Sequence, residues 1–331
     1  MNTTPIEKIE EYLEIPSNRR PLKTYDPTQL EWGNSWNNQE LERLSAVVNL
    51  NSEGYPKHKI QRLLIDLAWA SSTLEGNSYS YLDTQVLIEY GQKNKDKPVE
   101  DAVMILNHKR AIEILLERPK ISESFVLSIH SRLADGRGAP GSRHFLDPED
   151  CGTLREYTGR NFEITGTSYL PPQAEDYKIG FIHREFSRLI EVNRKLGHPI
   201  AQSFYLATRI PYLQPFCDVN KRTSRICCNG PLIENGLSPI SFVDFDKQKY
   251  IKGLIAFYEL GDERLFKRAF IEAHIGSSLM YKDFSTKTRI EIANNRDACI
   301  REAVEYVESG SLPENPIWIS DLRSPQKVGS F

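Results

Sequence analysis

The sequence contains no apolar run of about 18 residues, the length that a membrane-spanning helix needs. Its first twenty residues are polar and acidic, so they do not predict a secretory signal peptide. The net charge of the 331 residues is only −3, which supplies no field that would attract nucleic acid or an anionic membrane. These absences predict a cytoplasmic protein that binds neither nucleic acid nor a membrane.

Cysteine is sparse and has no recognisable arrangement. The five cysteines have neither the spacing of a disulfide framework nor that of a zinc site: Cys151, Cys217, Cys227, Cys228 and Cys299. We expect them to be reduced, which agrees with a cytoplasmic location. Two interpretations of Cys217 stay open, a reactive thiol and an ordinary core residue, because it lies in the motif described below.

The chain does contain apolar residues at helical spacing, and its 39% hydrophobic and 26% charged residues are typical of globular proteins. Their periodicity predicts helices over 57–74, 98–117, 121–134, 173–195, 199–212, 246–260 and 263–281, and another that starts near residue 220. Pro231 should kink or end that last helix. Glycine, proline and alternating apolar residues between 136 and 172 predict a loop with a short β-hairpin.

These patterns predict an all-α fold in three parts. Residues 1–55 contain four prolines and should form an arm with one or two short helices that packs on the body. Residues 56–281 should form the helical domain. Residues 282–331 should form one further helix and an irregular tail that contains three prolines.

The most informative stretch is 214–225, Gln-Pro-Phe-Cys-Asp-Val-Asn-Lys-Arg-Thr-Ser-Arg. It is typical of a phosphate-binding loop that leads into a helix. Asp218 is placed as a Mg²⁺ ligand would be, and the cations Lys221, Arg222 and Arg225 follow at the helix start. Unpaired N–H groups and a partial positive charge at a helix N-terminus attract anions. Arg222 and Arg225 are three residues apart, so both project from one helical face.

This stretch resembles the signature of the Fic family, His-Pro-Phe-x-Asp/Glu-Gly-Asn-Gly-Arg-x-x-Arg. The matching positions are Pro215, Phe216, Asp218, Asn220, Arg222 and Arg225. Gln214 stands in place of the catalytic histidine, and Val219 and Lys221 stand in place of two glycines. Because a positive φ is costly for valine, we expect the loop path to differ slightly at Val219.

Two further stretches resemble the same family. Residues 71–77 fit the inhibitory motif of its autoinhibited members whose inhibitory helix is N-terminal. Ser71 supplies the hydroxyl, Glu75 the acid and Gly76 the helix end. Residues 166–172 resemble the flap, the hairpin that aligns a target segment, with its centre at Thr167, Ser168, Tyr169 and Leu170.

The resemblance implies a Fic-type helical bundle and a protein adenylyltransferase that moves AMP from ATP to a Ser, Thr or Tyr hydroxyl of an unknown target protein. Asp218 would hold Mg²⁺, and Glu75 would pair with Arg225 and occupy the place of the terminal phosphate. A homodimer is compatible with the resemblance. The implied nucleotide-binding residues are Val219, Asn220, Lys221, Arg222 and Arg225, and the implied catalytic positions are Gln214, Asp218, Asn220 and Arg222.

Two departures leave alternatives open. Gln214 has no basic lone pair near neutral pH, so it cannot act as a general base. An inactivating substitution, a natural pseudoenzyme that still binds nucleotide, and chemistry with another base all fit this residue. Lys221 is similar to the Doc branch, which transfers the terminal phosphate, whereas Arg225 favours AMP transfer because Doc-like proteins lack that arginine. The alternative functions are therefore a silent nucleotide-binding protein and a Doc-like phosphotransferase.

Overall fold

Helices form most of the computed structural model, which describes residues 4–33, 35–50, 57–117, 120–157, 162–173, 176–314 and 316–318. The predicted all-α fold is confirmed. The helices are α1 (Ile6–Glu14), α2 (Asn38–Val48), α3 (Lys57–Leu74), α4 (Tyr81–Tyr90), α5 (Val99–Glu117), α6 (Glu123–Ala134), α7 (Phe181–Lys195), α8 (Pro199–Leu213), α9 (Asn220–Cys227), α10 (Asn229–Glu234), α11 (Lys247–Leu260), α12 (Arg264–Tyr281), α13 (Thr286–Asn294) and α14 (Arg296–Ser309).

Helix α8 is the centre of the bundle. Nearly all of its side chains are buried, as expected for a helix that is apolar all round. It packs against α7, α9, α10 and α11. His198 caps its N-terminus by accepting a hydrogen bond from the Ile200 amide at 3.2 Å, and Pro199 occupies the first helical position. The helix ends at Leu213, so the 214–225 motif begins where the central helix stops.

Proline and glycine explain how several predicted helices differ from the observed ones. The break expected from Pro231 lies at Cys228, between α9 and α10, because a proline ring clashes with the carbonyl four residues earlier. The predicted start of α7 at residue 173 is wrong, since the helix begins only after Gly180, which has a φ of 87°. Two helices, α13 and α14, follow residue 282 where one was predicted.

Helix α4 was not predicted from the sequence. Its apolar side chains do not share one face, since Leu82 is exposed while Leu87 is buried. The helix is specified instead at its start, where the Ser80 hydroxyl accepts a hydrogen bond from the Asp83 amide and the Asp83 carboxylate accepts one from the Ser80 amide. Such a capping box satisfies two of the amides that a helix leaves unpaired.

The predicted β-hairpin is wrong in its pairing. The short strand β2 (Tyr169–Leu170) has its partner in the arm, at β1 (Lys23–Thr24), and the two strands are parallel. Lys23 lies opposite Tyr169, and Thr24 lies opposite Leu170. Within the described residues 162–173 no second strand pairs with β2. A parallel pair needs a long connection, so alternation within one loop could not reveal it.

The N-terminal segment packs on the body as an extended arm with α1, α2 and two short 3₁₀ turns. The Tyr205 hydroxyl donates a hydrogen bond to the Leu30 carbonyl at 2.6 Å, and Arg209 forms a buried ion pair with Glu263. Trp36 contacts Phe204 edge to face at 5.4 Å. The three-part division at residues 55 and 281 stays a prediction.

A substitution of Phe204 tests whether the arm and the body share one core. Its ring is fully buried and lies edge to face against Trp36 and Phe270, each at 5.4 Å. We expect Phe204→Ala to lower the free energy of unfolding by about 3–5 kcal/mol in urea titrations, because the cavity cannot close fully. Ile179→Ala is the control, since Ile179 is 88% exposed and should cost less than about 0.5 kcal/mol. Equal losses in both variants would contradict a shared core.

Candidate functional site

The loop between α8 and α9 is bounded by two non-glycine residues with positive φ. Gln214 has a φ of 50° and Val219 a φ of 65°. A left-handed conformation costs a β-branched residue about 1–2 kcal/mol. Val219 adopts this conformation despite its cost, and a loop path that differs slightly at Val219 stays a prediction. The Val219 carbonyl accepts a hydrogen bond from the Thr223 amide at 2.9 Å, and the side chain is 2% exposed, so helix α9 and the core hold the strained residue in place.

Asn220 braces this loop from inside. Its Oδ1 accepts a hydrogen bond from the Phe216 amide at 3.0 Å, and its Nδ2 donates to the Phe216 carbonyl at 2.9 Å and to Gln214 Oε1 at 2.8 Å. Gln214 Nε2 in turn donates to the Pro211 carbonyl at 2.7 Å. Both carboxamides are thus engaged within the loop. A phosphate contact from the Asn220 side chain stays a prediction.

Arg155 connects the loop to the flap region. Its side chain is fully buried, Nε donates to the Gln214 carbonyl, and Nη2 donates to the Pro172 carbonyl. Its backbone amide also donates to the Pro215 carbonyl at 2.9 Å. Burial lowers the pKa of this guanidinium to about 10, which leaves it charged at neutral pH. The sequence does not point to this residue, because it lies in a stretch that has neither periodicity nor a motif.

His130 supports the loop from the other side. Its ring stacks on Phe216 with centroids 3.7 Å apart. Nδ1 accepts a hydrogen bond from the Gly152 amide at 2.9 Å, so Nε2 carries the proton and donates to the Asp218 carbonyl at 3.2 Å. Burial lowers the His130 pKa to about 3, and the ring is therefore neutral near pH 7. His130 is far from the loop in the sequence but contacts it in the structure, so the sequence alone does not reveal this role.

Arg222 and Asp218 differ in their exposure to solvent. Arg222 is buried, and its Nη2 donates to the His144 carbonyl at 2.8 Å. Its Nη1 has no hydrogen-bond partner within the described part of the chain. The Asp218 side chain is 58% exposed and lies 3.9 Å from Arg222. A buried guanidinium with an unused donor is suited to bind an anion.

Arg225 forms the contact that the sequence predicted. Its Nη2 lies 2.6 Å from Glu75 Oε1, and that guanidinium is 1% exposed while the Glu75 side chain is 21% exposed. Arg225 also donates through Nε to Ser71 Oγ at 2.9 Å, through Nη2 to the Ser71 carbonyl at 3.1 Å and through Nη1 to the Tyr250 hydroxyl at 3.3 Å. Ser71 and Glu75 therefore both contact the guanidinium of Arg225.

Glu75 lies directly after α3, where the chain turns. Gly76 has a φ of 92°, which ends the helix and turns the chain away. The Glu75 amide donates to the Ser72 carbonyl at 3.0 Å. Burial raises the pKa of the Glu75 carboxyl. The positive charges of Arg225, Lys221 and Arg222 lower this pKa by a larger amount, and the resulting value is about 2. The carboxyl is therefore ionised near neutral pH.

His108 completes this hydrogen-bond chain and is fully buried. Its Nδ1 lies 2.8 Å from the Met104 carbonyl, which can only accept, so Nδ1 carries the proton. Nε2 then accepts from the Ser71 hydroxyl at 2.9 Å, which leaves Ser71 Oγ free to accept from Arg225. Burial lowers the His108 pKa to about 3, so the ring stays neutral.

The flap residues are extended but largely engaged. Tyr169 is buried, and its hydroxyl donates to the Tyr212 carbonyl at 2.9 Å, two residues before Gln214. Ser168 donates its amide to Glu259, and Thr167 Oγ1 accepts from the Tyr169 amide at 3.2 Å. Leu170 is opposite Thr24 in the parallel pair. Arg155, through Pro172, joins the end of this segment to the loop.

The described residues contain no cluster of three or more histidine, cysteine, aspartate or glutamate side chains that could hold a metal ion by themselves. All five cysteines lie in the described part, and none forms a disulfide. In the same part no helix is both long enough and apolar enough to cross a lipid bilayer. The site thus consists of the buried cations Arg222 and Arg225, the second of which is paired with Glu75, beside the exposed carboxylate of Asp218.

This chain is similar to a family model, to curated proteins and to solved structures. Residues 120–232 match the model of the Fic/DOC family. The protein adenylyltransferase Fic of Drosophila persimilis is 25% identical over 232 residues, which cover 69% of this chain and 41% of that protein. The chain spans less than half the length of the curated relatives with this level of similarity.

Two solved structures share the fold. A fragment of Fic-1 from Caenorhabditis elegans superposes with a TM-score of 0.56 at 19% identity, over 73% of this chain and 70% of that one. A Fic family protein from Desulfovibrio desulfuricans G20 superposes with a TM-score of 0.58 at 15% identity, over 86% of this chain and 88% of that one.

The charge on Glu75 predicts how stability depends on pH. The Glu75 pKa is about 2 in the folded protein, below its ordinary value of 4.5, so the carboxylate stabilises the fold above pH 4.5. This contribution, up to about 3 kcal/mol, should disappear as pH falls from 4.5 to 2. We expect urea titrations to show a difference between the parent and Glu75→Gln at pH 7 that shrinks across this window. Glu10→Gln, a substitution of an exposed acid, controls for lost surface charge, and a constant Glu75 difference would contradict the contact.

Proposed function

Since this chain is a Fic-family protein, we propose that it is a protein adenylyltransferase, held inactive by Glu75 and impaired by Gln214. The reaction would transfer AMP from ATP to a hydroxyl of a target protein. The observation that carries the proposal is the 2.6 Å contact between Glu75 and the buried guanidinium of Arg225. A carboxylate in that place makes the contacts that a phosphate would make.

The cations of α9 support a triphosphate site. Arg222 has an unused buried donor at Nη1, and Arg225 is bound to an anion already. Lys221 adds a third positive charge close enough to lower the pKa of Glu75. When the Glu75 carboxylate leaves, these groups would stand unpaired and attract phosphate oxygens. Most of the rate of phosphoryl and nucleotidyl transfer comes from such placement and charge stabilisation.

The residues at the site fit Mg²⁺ as a companion of the nucleotide. Mg²⁺ is commonly held by one or two carboxylates together with substrate phosphates. The Asp218 carboxylate is more than half exposed and lies 3.9 Å from the buried guanidinium of Arg222, which suits that arrangement. When bound, the ion would offset negative charge on the phosphates. The chain itself would supply Asp218 as ligand and Arg222 and Arg225 as the phosphate-facing cations.

Gln214 favours a second candidate, a nucleotide-binding protein without turnover. Its carboxamide is held by Asn220 and Pro211, and an amide cannot remove the proton of an acceptor hydroxyl. Loss of a general base typically costs about 10²–10⁴ in rate. Lys221 favours a third candidate, Doc-like transfer of the terminal phosphate. The variants below separate the three.

Nucleotide binding should depend on Glu75. We expect Glu75→Gly to bind ATP·Mg²⁺ at least about tenfold more tightly than the parent in calorimetry, because the carboxylate no longer competes for Arg225. Glu117→Gly is the matched control, since Glu117 also ends a helix but is exposed. Absence of ATP binding in Glu75→Gly would remove the basis for a nucleotide site.

Turnover should need two changes together. We expect the combined Gln214→His and Glu75→Gly variant to label protein hydroxyls from ATP, and each single variant to remain at least about 10²-fold slower. Label from the α-phosphate would identify AMP transfer, and label from the γ-phosphate would identify Doc-like transfer. If the combined variant binds ATP but transfers neither label to itself or to lysate proteins, the silent binding protein replaces the enzyme as the function.

A further inference from the structure

The flap strand β2 already has a neighbour, and that neighbour is the chain's own arm. The Lys23 amide donates to the Ser168 carbonyl at 2.9 Å, and the parallel pairing continues to Thr24 and Leu170. In a parallel ladder, alternate residues of a strand bond to the same neighbour. Lys23 therefore faces the flap with its backbone, whereas the Thr24 amide points away from it.

The opposite edge of β2 is closed by a local side chain. Thr167 Oγ1 accepts a hydrogen bond from the Tyr169 amide at 3.2 Å, and its single proton is shared between the Ile164 carbonyl at 3.2 Å and the Tyr169 carbonyl at 3.3 Å. The Tyr169 amide is thus satisfied without a second strand. Of the two edges of β2, the edge beside the arm is the one that pairs with another strand.

A buried ion pair fastens the arm to the flap. Arg20 and Glu259 have side chains that are 4% and 0% exposed, with Nη1 and Oε1 3.1 Å apart. Arg20 Nη2 also donates to the Gly166 carbonyl at 2.8 Å, and Glu259 Oε1 accepts from the Ser168 amide at 2.8 Å. Both partners of the pair therefore contact the flap backbone as well as each other.

We propose that arm residues 22–25 are a built-in competitor, because they occupy the flap edge at 168–170 where an extended target segment would otherwise pair. The contacts are mainly backbone hydrogen bonds, which tolerate different sequences, and the side chains of Leu22 and Thr24 are exposed. A second segment can bind there only by displacing the arm. Competition between the arm and a protein target rests on the proposed function, whereas occupancy of the edge does not.

Paired variants test the occupancy directly. Arg20→Ala with Lys23→Pro removes the clamp and the amide that bonds to Ser168. Arg19→Ala with Thr24→Pro is the matched control, because Arg19 is exposed and the Thr24 amide faces away from the flap. The probe is a fluorescein-labelled peptide of residues 18–28. We expect the first variant to bind it at least about tenfold more tightly than the control in fluorescence anisotropy.

A version of the peptide with proline in place of Lys23 should not bind the opened variant. Equal binding of the peptide to the opened and control variants, or binding to neither, would overturn the proposal. Circular dichroism verifies that both variants are folded. Should the paired substitution reduce folding, Lys23→Pro alone, with Thr24→Pro as its control, provides the same comparison.

The same substitutions in the Gln214→His and Glu75→Gly background test the competition. The opened variant should label other proteins from ATP at least about tenfold more than its control. A decrease would mean that the arm supports the flap instead of covering a docking edge, and it would overturn the proposal. If neither background transfers label, the proposed function fails, and peptide binding alone then decides whether the edge is a strand-binding surface.

Discussion

A guanidinium as deeply buried as that of Arg225 is the constraint on which the site depends. A charge removed from water requires an opposite charge and hydrogen-bond partners, or it costs several kcal/mol. The structure satisfies Arg225 with groups from two other parts of the chain: Ser71 and Glu75 at the end of α3, and Tyr250 on α11. The partners come from positions 150 residues before and 25 residues after it in the chain. The need to satisfy this one buried charge therefore constrains how α3, α9 and α11 pack together.

The same arrangement makes the resting state and the proposed ligand state alternatives. Phosphate oxygens and the Glu75 carboxylate offer Arg225 equivalent contacts, so the buried guanidinium is satisfied in either case. The neutral ring of His108 contributes by accepting the Ser71 proton, which turns the Ser71 oxygen toward Arg225. Under the proposed function, inhibition would be decided by which anion satisfies a charge that the fold has already buried.

Much of this was predictable from sequence because the motifs contain the charged residues. The pairing of Glu75 with Arg225 was predicted from two motifs, and the bounds of α3 were predicted from apolar spacing and Gly76. Arg155 and His130 were not found, because each acts on backbone carbonyls, which every residue has. The pairing of β1 with β2 was missed for a similar reason. Each strand has only two residues, which are too few to show a periodic pattern. Long-range backbone contacts leave no pattern in a single sequence.

The fastening of the arm by Glu259 has a consequence for how the protein is made. Arg20 and its partner are separated by 239 positions. At about 5–20 residues per second, a ribosome needs roughly 10–50 s to reach the second residue after the first has been synthesised. Ser168, whose amide donates to Glu259, precedes it by 91 positions, so the flap backbone lacks that carboxylate for roughly 5–20 s after its own synthesis. Helices α1 to α10 precede Glu259 in the chain, so the flap is secured only after they have been synthesised.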